Sequence, residues 1–358
     1  MPPQPAPPTT PTPTPVSASG RIYSLTDIGA YTTPGATAID SHGNVVVAQS
    51  SGNGSFYYDH SSGSVARLPS VDGSADTVMA NGINDAGKIS GWSGQNAVVW
   101  LVSGGYSLLT TADGSAAQAE GINQQGQVAG SHAAGHADGF PTAWDQNGAE
   151  MQLDGGIGSA IAVSDQGLVV GDAAVSGSYP SWGPQHATAW HGAAITDLGT
   201  LTGDNISSAQ GVSDSGEIVG LSQGDHSHAV LWGTDGAITD IGSLGGSTPS
   251  DASAAGINHT GEIVGRSAVG TGADGSESFH AFVVVEDKMQ DLNAMIDPSS
   301  PIASFVTLTD AAAINCNGDI AANGLDSRDQ RTHAYLLVRQ GSARPECQSA
   351  QGSIPPGS

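Results

Sequence analysis

The chain has 358 residues and a formal net charge of −25, from 34 acidic and 9 basic residues. Such an acidic chain lacks the lysine and arginine clusters that bind nucleic acid or anionic lipid, and this excludes both classes of binder. No apolar run approaches the roughly 18 residues that a membrane span needs.

Residues 1–20 predict a disordered linker. The stretch PPQPAPPTTPTPTPV at 2–16 is typical of extended polyproline II, a semi-rigid spacer. The chain shows no signal peptide. A Pro/Thr stalk directly after Met1 is what we expect of an exported protein whose signal has been removed or replaced. The alternative is a cytoplasmic protein with a disordered arm.

The rest of the sequence repeats one unit seven times. Its clearest copy reads SAQGVSDSGEIVGLS at 208–222, HAVLW at 228–232 and AITDIGSLGG at 237–246. Aligned on the glycine of an Asn/Asp-x-x-Gly step, the copies lie 39 to 57 residues apart, at Gly43, Gly87, Gly126, Gly167, Gly216, Gly261 and Gly318. Periods of this length indicate a solenoid, a propeller or an array.

Each unit predicts four short strands, A to D. Strand A ends in Gly-Ile or Gly-Val, strand B carries Ile-Val-Gly, strand C reads His-Ala-x-x-Trp, and strand D reads Ile-Thr-Asp-Leu-Gly. Turns such as INDAG and INHTG between strands A and B supply the Asn, Asp and Gly that a hairpin needs. No amphipathic helical pattern competes with this interpretation. Four short strands repeated radially predict the blades of a β-propeller.

The two ends of the chain predict how the ring closes. The seventh unit has strands A to C, ending in HAYLLV at 333–338, but no convincing strand D. The missing strand appears in front of the first unit, as YSLTDIG at 23–29. A strand placed there removes an open sheet edge, whereas an open solenoid would have no use for it. The sequence therefore predicts an all-β, seven-bladed β-propeller over residues 21–340, with its last blade closed by the N-terminal strand.

These motifs resemble the HAF-repeat family of extracellular bacterial proteins, named for a His-Ala-Phe step. That step is literal at 280–282 and similar at 228–230 and 333–335. GINHTGEIVG at 256–265 and DIGSLGG at 240–246 are similar to the other family motifs. The resemblance covers about residues 22–340. It implies an exported or cell-surface protein of propeller shape, and it implies no defined chemistry.

The two cysteines predict a disulfide. Cys316 lies in the A–B turn of the seventh unit, and Cys347 lies in the tail, residues 341–358. In a four-stranded blade the A–B turn and the end of strand C emerge on the same face, so the two thiols can meet. A Cys316–Cys347 bond would tie the tail back and fits an oxidising compartment. Two reduced cysteines are the alternative.

Loop lengths predict which face of the ring binds a ligand. The A–B turns are uniform, but the B–C loops range from roughly four residues in unit two to fourteen in unit four, at 172–185, and thirteen in unit six, at 268–279. Function in repeat proteins concentrates on variable loops. We call the side with the B–C loops the variable face and the side with the A–B turns the uniform face. Both chain ends are predicted on the uniform face, and neutral drift is the alternative explanation of the loop lengths.

Residues that recur in one register are predicted to be structural. Four histidines begin strand C and four tryptophans end it: His186, His228, His280, His333, Trp100, Trp144, Trp190 and Trp232. Recurrence in successive blades is typical of a structural hydrogen bond or of packing between blades.

Histidines that do not recur are candidates for chemistry on the variable face. The segment SHAAGHAD places His132, His136 and Asp138 in the B–C loop of unit three. Imidazole and carboxylate groups at such spacings could bind a transition metal, and a solvated loop is the alternative. Asp225 and His226 occupy the equivalent loop of unit five.

Aromatic residues in the long loop of unit four are candidates for ligand binding. Tyr179 and Trp182 lie in the segment SYPSWGPQ. Exposed aromatic rings beside Pro and Gly can stack on a sugar or a partner side chain. Asp225 and His226 are predicted to contribute to the same ligand site. Self-packing of the loop is the alternative.

Three functions remain open from the sequence. The first is an exported, monomeric module that binds a polysaccharide or a protein through the variable face, without a cofactor. The second is a polysaccharide lyase or hydrolase on that face, with His132 or His136 as the base or acid and Asp225 and His226 as further candidates. The third is a purely structural surface protein. Hydrolase elbows, zinc-protease motifs and phosphate-binding loops are absent from the sequence.

Overall fold

The computed structural model describes residues 21–31, 34–49, 54–71, 73, 78–133, 139–174, 176–178, 181–192, 194–245, 250–271 and 277–341. The described residues are almost entirely strands and turns, with two short 3-10 turns at Leu292–Met295 and Ala303–Phe305. No helix among them has the length and hydropathy needed to cross a membrane.

Seven antiparallel sheets of four strands form the blades, each in the order A-B-C-D. Blade 1 contains β2 (Pro34–Ile39), β3 (Val45–Gln49), β4 (Phe56–Asp59) and β5 (Ser64–Arg67). Blade 2 contains β6 (Val78–Ile83), β7 (Lys88–Ser93), β8 (Asn96–Leu101) and β9 (Tyr106–Leu109). Blade 3 contains β10 (Ala117–Ile122), β11 (Val128–His132), β12 (Phe140–Trp144) and β13 (Glu150–Gln152).

The next three blades follow the same plan. Blade 4 contains β14 (Gly158–Val163), β15 (Leu168–Ala174), β18 (Gln185–His191) and β19 (Ala194–Asp197), with a small hairpin of β16 (Gly177–Ser178) and β17 (Ser181–Trp182) in its B–C segment. Blade 5 contains β20 (Ile206–Val212), β21 (Ile218–Gln223), β22 (Ser227–Trp232) and β23 (Ile238–Asp240). Blade 6 contains β24 (Ala252–Ile257), β25 (Ile263–Thr271), β26 (Glu277–Val285) and β27 (Lys288–Asp291).

Blade 7 joins the two ends of the chain. It contains β28 (Val306–Ile314), β29 (Ile320–Asp326), β30 (Arg331–Arg339) and, as its outer strand, β1 (Tyr23–Ala30). The register pairs Tyr23 with Arg339 and Ala30 with His333. This confirms the predicted seven-bladed propeller closed by the N-terminal strand. The strand A of each blade contacts the strand A of the next around the axis.

The glycine of the Ile-Val-Gly step is required by a close approach of strands A and B. A bulge in strand A, for example between Ala160 and Ala162, brings the two backbones together. A Cβ atom at the strand-B glycine would lie only 2.0–2.1 Å from a carbonyl oxygen of strand A in five blades, at Gly91, Gly130, Gly171, Gly220 and Gly265. Only a residue without a side chain fits there, which explains why the motif repeats.

The core lies between the blades, where the tryptophans of strand C are fully buried. The Nε1 groups of three of them donate to carbonyl oxygens in the link from the preceding blade. The pairs are Trp100 with Pro69, Trp144 with Thr110, and Trp190 with Asp154. The prediction that these residues pack between blades is therefore confirmed.

The recurring histidines of strand C contact the recurring aspartates of strand D. Nδ1 lies 2.7 to 3.3 Å from the carboxylate in four blades, in the pairs His186–Asp197, His228–Asp240, His280–Asp291 and His333–Asp27. The same aspartates accept a backbone N–H two residues later, which fixes the Asp-x-Gly turn. This confirms the predicted structural role of the histidines.

Hydrogen bonds between successive A–B turns tie the uniform face together. In blades 1 to 4 the second residue of the turn donates its backbone N–H to the side chain of the equivalent residue in the next blade. Ser41 donates to Asp85, Asp85 to Gln124, Gln124 to Asp165, and Asp165 to Asp214, each over 2.8–2.9 Å. The polar groups of this face are therefore largely used by the fold itself.

Both ends of the described chain emerge on the uniform face, as predicted. The backbone N–H of Arg339 donates to Asp319 in an A–B turn, and Gln340 donates to Ile22. The prediction for the B–C segment of blade 6 is partly wrong. Residues 268–271 and 277–279 continue β25 and β26, because the pairing extends to Thr271 and Glu277. Gly270 and Ser278 look like loop residues in the sequence, but the structure pairs them with each other in the ladder.

Candidate binding site at the variable face

Seven pairs of residues lie at corresponding positions where strands A and B approach the variable face. In each pair the strand-A residue comes directly before the buried alanine of strand A, and the strand-B residue comes directly after the position that the close-approach glycine occupies in five blades. In blade 4, for example, Ser159 precedes Ala160 and Asp172 follows Gly171. We call them the mouth pairs: Gly35/Ala48, Met79/Trp92, Gln118/Ser131, Ser159/Asp172, Ser208/Leu221, Ser253/Arg266 and Asp310/Asn323. Each blade has a different pair, although the flanking positions repeat. The fold therefore does not require the residues of the mouth pairs to differ from blade to blade.

One group of polar mouth residues joins blades 6, 7 and 1. Asn323 donates from Nδ2 to Asp310 over 3.1 Å, and its side-chain oxygen accepts the backbone N–H of Ala36 over 2.8 Å. Burial raises the pKa of Asp310, against the hydrogen bond from Asn323 and the charge of Arg266. The Arg266 guanidinium lies 5.1 Å from the centre of the Phe279 ring. The charge of Arg266 therefore acts on a buried carboxyl group whose pKa is raised.

A second polar group joins blades 4 and 5. Ser208 donates from Oγ to Asp172 over 3.3 Å, and Gln210 donates from Nε2 to the same hydroxyl over 2.8 Å. Burial raises the pKa of Asp172 to about 6, although the bond from Ser208 opposes the shift. Asp172 can therefore change its charge near neutral pH.

Glu120 is a third acid near the axis. It occupies the bulge of strand A in blade 3, where the equivalent residues of blades 1 and 2 are Thr37 and Asn81. Those two side chains donate to carbonyl oxygens of the next blade, each over 3.0 Å. Burial raises the pKa of Glu120 to about 7. A carboxyl group thus stands where blades 1 and 2 place a neutral donor.

A cavity of about 290 Å³ opens between blades 2 and 3 on the variable face. Its wall contains the polar side chains of Gln95, Gln118, Ser131 and His132, between small residues. Nδ1 of His132 is buried and has no hydrogen-bond partner in the structure described. An unsatisfied buried nitrogen beside a polar cavity is the type of group that a ligand or water satisfies.

Among the described residues, a carboxylate within 4 Å of this imidazole is that of Glu150, whose Oε1 lies 3.9 Å from His132 Nδ1. Glu150 is held in place by Ala112 N, at 2.6 Å from Oε2, and by Thr142 Oγ1, at 3.1 Å from Oε1. The distance exceeds a hydrogen bond. Glu150 therefore lies behind the imidazole without a hydrogen bond to it.

The other predicted site residues lie apart from this cavity or outside the described residues. Asp225 is exposed, and His226 Nδ1 lies 3.4 Å from Asp251 Oδ1, which also accepts the N–H of Ser227. Trp182 ends the hairpin strand β17, where it pairs with Gly177, and its side chain is not described. Four further predicted residues lie outside the described residues: His136, Asp138, Tyr179 and Cys347. The predicted metal set, of which only His132 is described, and the predicted disulfide therefore fall partly outside them.

Among the described residues, two groups of Asp and His side chains bring possible metal-ligand atoms close together. In both groups these atoms already have other partners. In the group Asp27, Asp326 and His333 the ligand atoms lie within 4.8 Å of one another. Arg328 donates to both carboxylates, so a cationic group is already present there. The other group is Asp40, His42 and Asp85. Its aspartates already accept backbone and Asn44 donors of the A–B turns.

Sequence reasoning missed the mouth residues, because it treated strands A and B as scaffold. Trp92, Glu120 and Arg266 all lie inside predicted strands, and only loop residues were considered as candidates. A signal was present: the residue after the strand-B glycine is Trp, Ser, Asp, Leu or Arg in successive units. Comparison of the repeats position by position would have found it.

No family model matches the chain, and no curated protein matches its sequence. Solved structures share the fold. The β-propeller domain of the Trilobed protease from Pyrococcus furiosus has a TM-score of 0.54 at 8% identity, over 90% of this chain and 99% of that chain. A streptogramin B lyase has a TM-score of 0.52 at 12% identity, over 89% of this chain and 98% of that chain.

The acylaminoacyl peptidase from Pyrococcus horikoshii has a TM-score of 0.52 at 12% identity, over 88% of this chain and 53% of that chain. The Pyrococcus furiosus propeller has an open velcro topology, whereas this chain pairs β1 with β30. At these identities the similarity shows the fold alone: the protein is a seven-bladed β-propeller.

Proposed function

We propose that the protein is an exported or cell-surface propeller that binds a glycan through its variable face, in the cavity beside His132. The observation that carries the proposal is a polar cavity of about 290 Å³ that is lined by His132, a residue whose buried Nδ1 has no hydrogen-bond partner among the described residues. The mouth pairs support it, because their residues vary where the fold does not require variation. The export that we expect from the HAF-repeat resemblance is a part of this proposal.

The chemistry of the cavity wall favours a neutral, hydroxyl-rich ligand. Two amides, one hydroxyl and one imidazole can each donate and accept hydrogen bonds. Their small neighbours, such as Ala117 and Gly139, leave room for a ring to enter. The volume is at the lower end of that of ligand pockets, which suits a single sugar unit of a chain better than a large cofactor.

The test is a binding measurement on an array of bacterial and plant polysaccharides, followed by calorimetry on the best ligand. We expect His132→Asn and Gln118→Ala to weaken binding at least about tenfold, because each leaves a ligand group without a partner. His42→Asn, on the uniform face, is the matched control and should bind as the wild type does. Equal affinity of all three variants, with unchanged melting temperatures, would exclude this cavity.

The long loop of blade 4 offers an alternative location for the same function. If Trp182→Ala abolishes glycan binding and His132→Asn does not, the aromatic platform of Tyr179 and Trp182 is the site. The predicted Cys316–Cys347 disulfide bears on the exported location. Mass spectrometry of the unreduced protein should find this bond if the protein folds in an oxidising compartment.

A second candidate function is cleavage of the bound polysaccharide. The position of Glu150 behind His132 favours it, because a carboxylate that orients an imidazole is a common arrangement for a general base. Release of new reducing ends or of unsaturated products by the wild type, lost in both His132→Asn and Glu150→Gln, would establish the enzyme. Binding without any product would leave the binding module.

A further inference from the structure

A groove of about 640 Å³ lies on the uniform face between blades 5 and 6. Its apolar wall comes from strands of both blades: Leu231, Ile241, Ile257, Ile263, Val284 and Val285. Its rim is acidic, with the carboxylates of Glu217, Asp240, Glu286 and Asp287. This apolar wall, which forms the floor of the groove, and the negatively charged rim are together complementary to a peptide segment that alternates apolar and cationic side chains.

One guanidinium of the chain already lies in the groove. Arg21 forms an ion pair with Glu262, and Arg339 Nη1 lies 3.5 Å from the same carboxylate. Glu262 is buried, and burial would raise its pKa. The hydrogen bonds from Asn258 and Arg21 and the two arginine charges outweigh burial and hold the pKa below its usual range. The chain's own Arg21 guanidinium is thus held in the groove by a carboxylate.

The rim acids lack such compensation. Among the described residues, Glu217, Glu286 and Asp287 form no ion pair with Lys, Arg or His, and Asp240 pairs only with His228. Glu286 and Asp287 form the tight turn between β26 and β27, with φ of 52° and 59°. Asn-Gly or Asp-Gly is the usual choice for such a turn, since non-glycine residues in this region are strained. Two adjacent carboxylates thus occupy the rim at a cost in backbone strain.

We infer that this groove is a second binding site, for an extended peptide segment of a partner protein that carries Arg or Lys side chains between apolar ones. The inference does not depend on the proposed glycan site, which lies on the opposite face. It would give the protein two independent ligands, one on each face of the ring.

The test uses the full chain and three fluorescent hexapeptides in anisotropy titrations: alternating Val and Arg, alternating Val and Glu, and alternating Ser and Arg. We expect the Val/Arg peptide to bind, and to bind more weakly as salt is raised. The Val/Glu peptide should not bind. The Ser/Arg peptide should bind more weakly than the Val/Arg peptide, because it cannot bury apolar side chains on the floor.

The decisive variant is Glu286→Gln/Asp287→Asn, which removes two rim charges and keeps the side-chain shapes. We expect about fivefold weaker binding of the Val/Arg peptide, as for two partly exposed ion pairs. Asp225→Asn/Glu277→Gln removes two charges from the opposite face and should leave the affinity unchanged. Equal losses in both double variants would mean general attraction to an acidic protein and would overturn the inference.

Arg21→Ala provides a second, independent variant. It removes one guanidinium partner of Glu262, and we expect it to tighten binding of the Val/Arg peptide. A second copy of the chain is the competing occupant. If no peptide binds, and ultracentrifugation shows self-association that Glu286→Gln/Asp287→Asn weakens, the groove belongs to a dimer interface and the peptide inference is wrong.

Discussion

His333 and Asp27 are 306 residues apart in the chain, yet Nδ1 of the histidine lies 2.9 Å from Oδ1 of the aspartate. Nε2 of the same ring lies 3.1 Å from Asp329 Oδ2. Because carboxylates only accept hydrogen bonds, both ring nitrogens act as donors when the imidazole is protonated. The histidine that closes the ring is therefore also a titratable group.

The first prediction concerns the pH dependence of this closure. Burial would lower the pKa of His333, but the hydrogen bonds to Asp27 and Asp329 raise it overall. A raised folded-state pKa stabilises the protein fully below the unfolded value near 6.5, and this stabilisation is lost as the pH rises through the folded value. His333→Gln should therefore lose about 2 kcal/mol near pH 6 and less near pH 9.

Denaturant titrations at the two pH values check this prediction. His228→Gln is the control. Its partner Asp240 lies on the next strand of the same blade, so this pair does not join the two ends of the chain. We expect it to be less destabilising than His333→Gln. A pH-independent effect of His333→Gln would contradict the titration of this residue.

The second prediction concerns Glu120. Burial raises its pKa from 4.5 to about 7, so the folded protein keeps this carboxyl neutral while the unfolded chain ionises it. The stability that it contributes is present below the unfolded value and is lost as the pH rises through about 7. The Glu120→Gln variant cannot ionise at this position. Above about pH 7 it should therefore be more stable than the wild type, by at most about 3 kcal/mol. Superimposable stability curves of both proteins from acid to alkaline pH would show that the carboxyl is not perturbed.

The third prediction concerns the close approach of strands A and B. Gly171→Ala would place Cβ 2.0 Å from the carbonyl oxygen of Ser159, so the two strands must separate. We expect a loss of about 3 kcal/mol or failure to fold. Gly270→Ala is the control, because nothing lies within 4 Å of the added atom. Urea denaturation of both variants measures the difference, and similar losses would disprove the steric account.

The fourth prediction compares two tryptophans of strand C. Trp190 donates from Nε1 to Asp154 O over 2.6 Å, whereas Nε1 of Trp232 has no hydrogen-bond partner among the described residues. Trp190→Phe loses packing and a hydrogen bond, but Trp232→Phe loses packing alone. We expect the first to cost about 1 kcal/mol more than the second. Thermal unfolding of the two variants measures the difference. A larger loss of stability for Trp232→Phe than for Trp190→Phe would contradict the prediction.

The sequence alone was sufficient to predict the seven-bladed ring, because the residues that the fold requires recur in its repeats. The turn residues, the strand-B glycine, the tryptophans and the His–Asp pairs all recur, and each has a local physical reason to recur. The displaced strand at Tyr23–Ala30 could be assigned to blade 7 for the same reason.

The sites could not be predicted in the same way, because they depend on contacts between residues of different blades. Glu150 stands behind His132 only when strand D folds against strands B and C. Arg21 reaches Glu262 only when the ring has closed, and 241 residues separate the two in sequence. The mouth residues were readable in principle, since they break the repeat, but they lie inside strands rather than loops.

The closing seam has a mechanical consequence. Chain entry at Tyr23 and chain exit at Arg339 face each other at one end of an antiparallel pair of strands. Tension between the two chain ends would therefore peel the hydrogen bonds apart one after another, and it would not load them all at once in shear. A molecule held by only one of its ends has no tension between the two ends, so this sequential opening would not occur.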